Sequence, residues 1–174
     1  NYIAYGVIGR ANRNGVASVS TVDIRNFTAD KHRTVDDEPF GGGAGMVLKA
    51  EPLAQAMDSL GHSGHRILLS PSGRTFTQAD AVRWSKLDAL TLVCGRYEGV
   101  DERFREHYVD EVISIGDYVL SGGELGAMAV LDATLRFVPG VLGNRESLEH
   151  ESFADGMLEH PQYTCLLYTS DAAD

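Results

Sequence analysis

The stretch Glu111-Val112-Ile113-Ser114-Ile115-Gly116-Asp117-Tyr118-Val119-Leu120-Ser121-Gly122-Gly123 decides how this chain is read. Val112, Ile113 and Ile115 form a strand-like run that stops at Gly116-Asp117. A short apolar step follows, and Ser121-Gly122-Gly123 then opens onto a helical pattern. Two glycine-bearing turns this close together predict a backbone folded tightly around something, because glycine alone enters crowded or left-handed conformations at little cost.

Working outward, two further apolar runs end the same way. Arg66 to Ser70 reads as a short buried strand ended by Pro71-Ser72-Gly73, and Leu90 to Cys94 as another ended by Gly95. Helical patterns lie between and around them. One starts at Glu51-Pro52 and runs to about Leu60, with proline in the first turn, where its missing N–H costs little. Thr77-Gln78-Ala79-Asp80 resembles a capping box before a helix to about Leu87, and Asp101 to His107 looks helical. Gly123 to Phe137 is the strongest helix, with Leu125, Met128, Leu131 and Leu135 predicted on one face. Residues 1–50 are Gly- and Asp-rich and predict loops, with a short helix near 3–10 and a strand near 17–24. Strands alternating with helices predict an α/β fold, a parallel sheet flanked by helices on both faces. Ligands in such sheets bind at the carboxyl ends of the strands, so three Gly-bearing strand ends predict one pocket.

Composition narrows the function. At 174 residues and 43% hydrophobic, the chain can bury the core of one ordinary domain. No apolar run reaches membrane-span length, so no membrane association is predicted. Two cysteines, Cys94 and Cys165, make no disulfide framework and predict a reducing, cytoplasmic setting. A net charge of −10 excludes a broadly basic nucleic-acid binder but leaves room for local basic patches at Lys31-His32-Arg33 and at Arg10 with Arg13.

The glycine run Gly41-Gly42-Gly43-Ala44-Gly45-Met46 follows no strand and carries methionine where a dinucleotide fingerprint needs glycine. No phosphate-loop lysine is correctly spaced. By itself the run reads as a turn-rich loop. Ser70 and Ser121 lie outside any Gly-x-Ser-x-Gly elbow, which argues against a hydrolase. His62-Ser63-Gly64-His65 has metal-like spacing, but no second pair of ligands joins it, so no metal site is predicted. Cys94, at the end of an apolar strand, reads as a core residue rather than a thiolate nucleophile. Arg136 closes the long helix, where a cation complements the helix dipole.

Together, Asp30 to Asp37 with the glycine run, Leu69 to Gly73, Cys94 to Arg103, Ser114 to Glu124, Pro139 to Gly143 and His160 to Thr164 match one family in order and rough spacing. Over about residues 4–164 the chain resembles the bacterial tRNA (guanine-N1)-methyltransferases of the SPOUT class. The resemblance implies a parallel α/β domain whose C-terminal part threads a deep trefoil knot. It implies a pocket for S-adenosylmethionine at Leu69, Ser70, Pro71 and Gly73 of the first loop and at Gly95, Tyr97 and Glu98 of the second. From the third loop it implies Ser114, Ile115, Gly116, Asp117, Tyr118, Leu120, Gly122 and Gly123. The implied reaction methylates N1 of guanosine 37 of tRNA when another guanosine precedes it. Arg136 would stabilise charge on O6, and Glu151 of Glu151-Ser152-Phe153 stands where the family has its aspartate base, with Asp155 and Glu159 as nearby alternatives. Glu98 would assist or help place magnesium, on which the family depends.

The resemblance also implies a homodimer in which the partner's linker completes each pocket, with the helix at 123–137, and its small residues Gly126 and Ala127, as an interface. It divides the chain into a SPOUT domain at 1–143 lacking its first strand and a linker at 144–164. Residues 165–174 read like a translated sequencing-adapter tail, and the family's C-terminal tRNA-binding domain is absent. Two other readings stand beside it. One is another SPOUT RNA methyltransferase, against which the linker acid and Arg136 argue by pointing to a base nitrogen. The other is a fragment that binds cofactor or RNA without turnover.

Overall fold

The structure is a computed structural model that describes residues 2–61, 64–143, 152–153 and 158–164. Residues 1–143 form one compact unit and residues 144–174 a second. In the first unit, three strands make a parallel sheet: β3 (His65–Thr75) lies between β4 (Leu90–Cys94) and β5 (Glu111–Ser114). A two-residue hairpin, β1 (Asp36–Asp37) against β2 (Val47–Leu48), precedes them. The helices are α1 (Gly6–Arg13), α2 (Ala50–Asp58), α3 (Gln78–Trp84), α4 (Glu102–Tyr108) and α5 (Glu124–Leu135).

Helices cover both faces of the sheet, as the alternation predicts. Leu68 and Val93 point to one face, where they bury with Leu53, Met57 and Phe104 of α2 and α4. Ile67, Leu69 and Ile113 point to the other, where they bury with Trp84 of α3 and Val130 of α5. Three consecutive residues of the central strand are therefore buried, as in sheets covered on both sides. The capping box is also present: the N–H and O–H of Thr77 both donate to Asp80 Oδ2, at 3.0 and 2.8 Å.

Three expectations need correction. The strand near 17–24 does not form. Val22 is exposed there, and the Asp23 carboxylate accepts from the Arg25 N–H to start a 3-10 turn at Ile24–Phe27 instead. The central strand does not end at Pro71-Ser72-Gly73. Leu69 and Arg74 both pair with Ile113, so Ser70–Gly73 loop out and the strand rejoins β5 to Thr75. A Cβ on Gly73 would lie 2.4 Å from the Ile113 nitrogen, so only glycine lets the chain turn back this close. The buried face of α5 is Gly126, Val130 and Thr134, with Leu135, and not the leucine face: Leu125 is 58% exposed. The helix is apolar nearly all round, so spacing alone did not mark which side the sheet takes.

Charged side chains tie the parts together at Glu111, the first residue of β5. Its carboxylate meets Arg83 at 2.7 Å, Arg74 at 2.6 Å and His65 at 2.7 Å. Arg74 and Arg83 also hold Asp80, which is 8% exposed. The Arg83 guanidinium first, then Arg74 and His65, pull the Glu111 carboxyl down to about 2 against the desolvation that would raise it. Arg74 above all holds Asp80 well below the usual carboxylate range.

In the second unit, the Glu159 N–H donates to Ser152 Oγ at 3.0 Å, and Phe153, Leu158 and Tyr163 are exposed. Glu151 and Asp155 lie outside the described residues, as do His62 and Ser63 and the tail at 165–174.

Two outcomes follow from this architecture. Gly73→Ala should cost about 2–3 kcal/mol in denaturant unfolding, because the new methyl meets backbone and not a side chain that can swing away. The stability contributed by Glu111 is complete above its unfolded value of 4.5 and is lost as pH falls toward about 2, because its folded value is depressed. Glu111→Gln should therefore lower the melting temperature at neutral pH, and the wild-type and variant melting curves should converge as pH approaches 2.

Candidate functional site

The carboxyl ends of the three parallel strands converge on a cavity of about 280 Å³. Its walls are the Ser70–Gly73 excursion, the turn after β4 (Gly95–Val100) and the loop after β5 (Ile115–Gly123). Of the residues predicted to hold a cofactor, Leu69, Ser70, Pro71, Gly95, Tyr97, Glu98, Ser114, Ile115, Gly116, Tyr118, Leu120, Gly122 and Gly123 line it. Gly73 and Asp117 do not: Gly73 backs onto β5, and Asp117 is exposed on the third loop.

Each loop has a local cause. Ser114, 6% exposed, turns its hydroxyl onto its own loop, donating to Gly116 O at 3.0 Å and accepting from the Gly116 N–H at 3.2 Å. The Tyr118 N–H then returns to Gly116 O at 2.9 Å, and Gly116 takes φ 150°. In the second loop the Gly99 N–H closes a turn on Arg96 O, and Tyr97 holds φ 57°, a left-handed conformation that costs a non-glycine residue of order 1–3 kcal/mol. Loops two and three are bonded to each other. The Gly123 N–H donates to Gly95 O at 2.8 Å, and Arg96 Nε donates to Glu124 Oε1 at 2.8 Å. A Cβ on Gly123 would lie 2.8 Å from Cys94 Cα, so this crossing also requires glycine.

The glycine run joins the same site. The β1–β2 hairpin carries it, the Glu98 N–H donates to Met46 O at 3.0 Å, and a Cβ on Gly45 would strike the Glu98 carboxylate. Gly41, Gly42, Gly43 and Gly45 all have positive φ, and Phe40 beside them is fully exposed. Cys94, under the cavity, is buried enough that desolvation, reinforced by Glu124, pushes its thiol up to about 11, in keeping with a core residue.

Arg136 is placed differently. It is the C-cap of α5, ten residues beyond the cavity-lining Gly126, or about 15 Å along the helix axis at 1.5 Å per residue. Sequence reasoning missed several wall residues, notably Arg96, Val119 and Gly126. The signal for Gly126 was a glycine inside a strong helix, which costs about 1 kcal/mol and so marks close packing. A Cβ there would lie 3.4 Å from Leu69 Cδ1, so Gly126 packs against the sheet of its own chain. Ala127 likewise packs against the cluster around Val130.

The family model for tRNA (guanine-1)-methyltransferase TrmD matches residues 1–171. A tRNA (guanine-N(1)-)-methyltransferase of Bartonella tribocorum is 53% identical over 163 residues, covering 94% of this chain and 70% of the relative. Those of Heliobacterium modesticaldum and Staphylococcus epidermidis are 54% and 50% identical, covering 91% and 92% of this chain. The chain spans 62% and 66% of the length of these two relatives. With a family model matching residues 1–171 and relatives about half identical across nearly the whole chain, the chain belongs to the tRNA (guanine-1)-methyltransferase family.

Proposed function

We propose that the chain carries out transfer of a methyl group from S-adenosylmethionine to N1 of guanosine 37 of a tRNA in which guanosine also precedes that position. The observation that carries this reading is the convergence of three glycine-bearing strand ends on one cavity in a member of this family.

The residues fit the cofactor. Gly95 offers open space, since a Cβ there would meet only Leu69 O, at 3.6 Å. Leu69, Ile115 and Leu120 supply apolar wall, the tight turns expose backbone groups, and Glu98 brings a carboxylate suited to a cationic ligand. When bound, S-adenosylmethionine supplies a methyl group already activated by its sulfonium. The chain must do the rest. Guanine N1 carries a proton and is a poor nucleophile until a base takes it, a role for the linker carboxylate Glu151, with Asp155 and Glu159 as alternatives. Charge then builds on O6, where the fixed guanidinium of Arg136 stabilises it. Among the described residues no group of three His, Cys, Asp or Glu side chains is arranged to hold a metal, so no step is assigned to magnesium.

The separation of Arg136 from the cavity along α5 supports a homodimer in which one subunit's pocket receives Arg136 from its partner. Exposed apolar side chains at Tyr118, Val119 and Leu125, beside the cavity, are candidates for that contact. The bonded crossing of Gly95 and Arg96 by Gly122 and Gly123 supports the trefoil knot, in which the third loop threads past the second. Among the described residues no helix is long and apolar enough to cross a membrane, and a tRNA substrate implies the cytoplasm.

The direct test is incubation with labelled S-adenosylmethionine and a transcript carrying guanosines 36 and 37, followed by nucleoside mass spectrometry. The expected product is 1-methylguanosine, lost when guanosine 37 is replaced; methylation elsewhere would overturn the assignment. Gly95→Val should fold normally but weaken cofactor binding at least tenfold in calorimetry. Arg136→Ala should bind cofactor normally and lose about 100–1,000-fold in kcat. Mixing the two inactive variants should restore about a quarter of wild-type activity by random pairing, since one site per mixed dimer is then intact. No recovery would place Arg136 in its own subunit's site.

A further inference from the structure

Arg74 lies outside the cavity, yet it is where the central strand re-enters the sheet after the Ser70–Gly73 excursion. The side-chain bonds inside the excursion are local: the Ser70 and Ser72 hydroxyls are 3.0 Å apart, and the Ser72 N–H reaches Ser70 Oγ at 3.3 Å. They do not fix how many residues loop out. The length is set by which residue pairs next with Ile113, and that residue is Arg74. Its guanidinium is held on two sides. Nη1 and Nη2 grip both oxygens of Asp80 at 2.7 Å, and Nη2 also reaches Glu111 Oε2 at 2.6 Å. Asp80 is pinned to the start of α3 by Thr77, and Glu111 opens β5 in register with Ile67.

We propose that Arg74 is a positioning residue: by clamping the re-entry point to α3 and β5 it fixes the excursion that presents Ser70 and Pro71 to the cavity, and so shapes the cofactor site without touching the cofactor. The second half of this rests on the reading of the cavity as the S-adenosylmethionine site. Lysine cannot replace Arg74 fully, because a single ammonium cannot grip one carboxylate with both prongs and a second at the same time. The structure provides its own control. Arg83 pairs with the same Asp80 and Glu111, but from α3, so losing it weakens the charge cluster without freeing the excursion.

The test compares Arg74→Ala, Arg74→Lys and Arg83→Ala by amide hydrogen exchange without ligand and by calorimetric titration with S-adenosylmethionine. Arg74→Ala should speed exchange at least tenfold at Ser70, Ser72 and Gly73 while β4 and α5 stay protected, and should weaken the cofactor at least tenfold. Arg74→Lys should fall between it and wild type, and decides the matter should the alanine variant not fold. Ethylguanidinium added to Arg74→Ala should recover part of the affinity. Arg83→Ala should lower the melting temperature with neither local effect. Equal effects from Arg74→Ala and Arg83→Ala, or faster exchange spread over the whole domain, would reduce Arg74 to a general cross-link and overturn the proposal. Wild type failing to bind S-adenosylmethionine would remove the cofactor reading instead, and the exchange pattern alone would then decide the clamp.

Discussion

Backbone packed directly on backbone is the contact on which the rest of this structure depends. At Gly73 the central strand turns back so tightly that a Cβ would sit 2.4 Å from the Ile113 nitrogen and 2.5 Å from the Val112 carbonyl carbon. At Gly123 the start of α5 crosses the end of β4 with room for no more than a hydrogen beside Cys94 Cα. Neither neighbour is the free end of a flexible side chain, so neither can give way cheaply. These two approaches draw three strand ends into one cavity. Glycine carries an entropic cost of roughly 0.5–1 kcal/mol relative to alanine in regular structure, and that cost is accepted here because no other residue permits the geometry.

The sheet itself was legible for a simple reason. Buried parallel strands read as short apolar runs, and Leu68, Val93 and Ile113 lie in the runs where they were expected. What spacing could not supply was the side of α5 that packs inward. With leucines, alanines and a valine distributed around it, the helix offers several apolar stripes, and the stripe that packs inward is the one with Gly126, Val130 and Thr134, where Gly126 lies against Leu69 and Ile115. The strand near 17–24 failed for the opposite reason: its valines had the right propensity, but among the described residues no strand pairs with them, and the local bond to Asp23 prevailed. Most of the cavity wall was legible because glycines mark its turns. Arg96 was not, since its role depends on Glu124, twenty-eight residues away, which no local pattern reveals.

Charge is divided between the two ends of the sheet. A chain with a net charge of −10 might be thought ill suited to a polyanionic substrate, but several of its acids are already matched. Asp80, Asp110 and Glu111 are held ionised by Arg74, Arg66 and Arg83 at the far end of the strands from the cavity. At the cavity end, Glu98 and the Arg96–Glu124 pair leave a mouth with both signs of charge, consistent with a cationic donor on one side and an anionic acceptor on the other.

The placement of Arg136 then separates two tasks that a single pocket would combine. The same helix that lines the cavity with Gly126 ends about 15 Å further on with the arginine proposed to meet O6. In the proposed dimer, each subunit would hold its own cofactor, and Arg136, the group proposed to bind the transition state more tightly than the ground state, would come from the partner. Pairing of two subunits would supply that group from outside, so assembly and catalysis become the same event. In such a dimer the α5 axis would link the two tasks: one helix lines one site with Gly126 and would carry Arg136 to the other, so that no loop would have to maintain the distance between them.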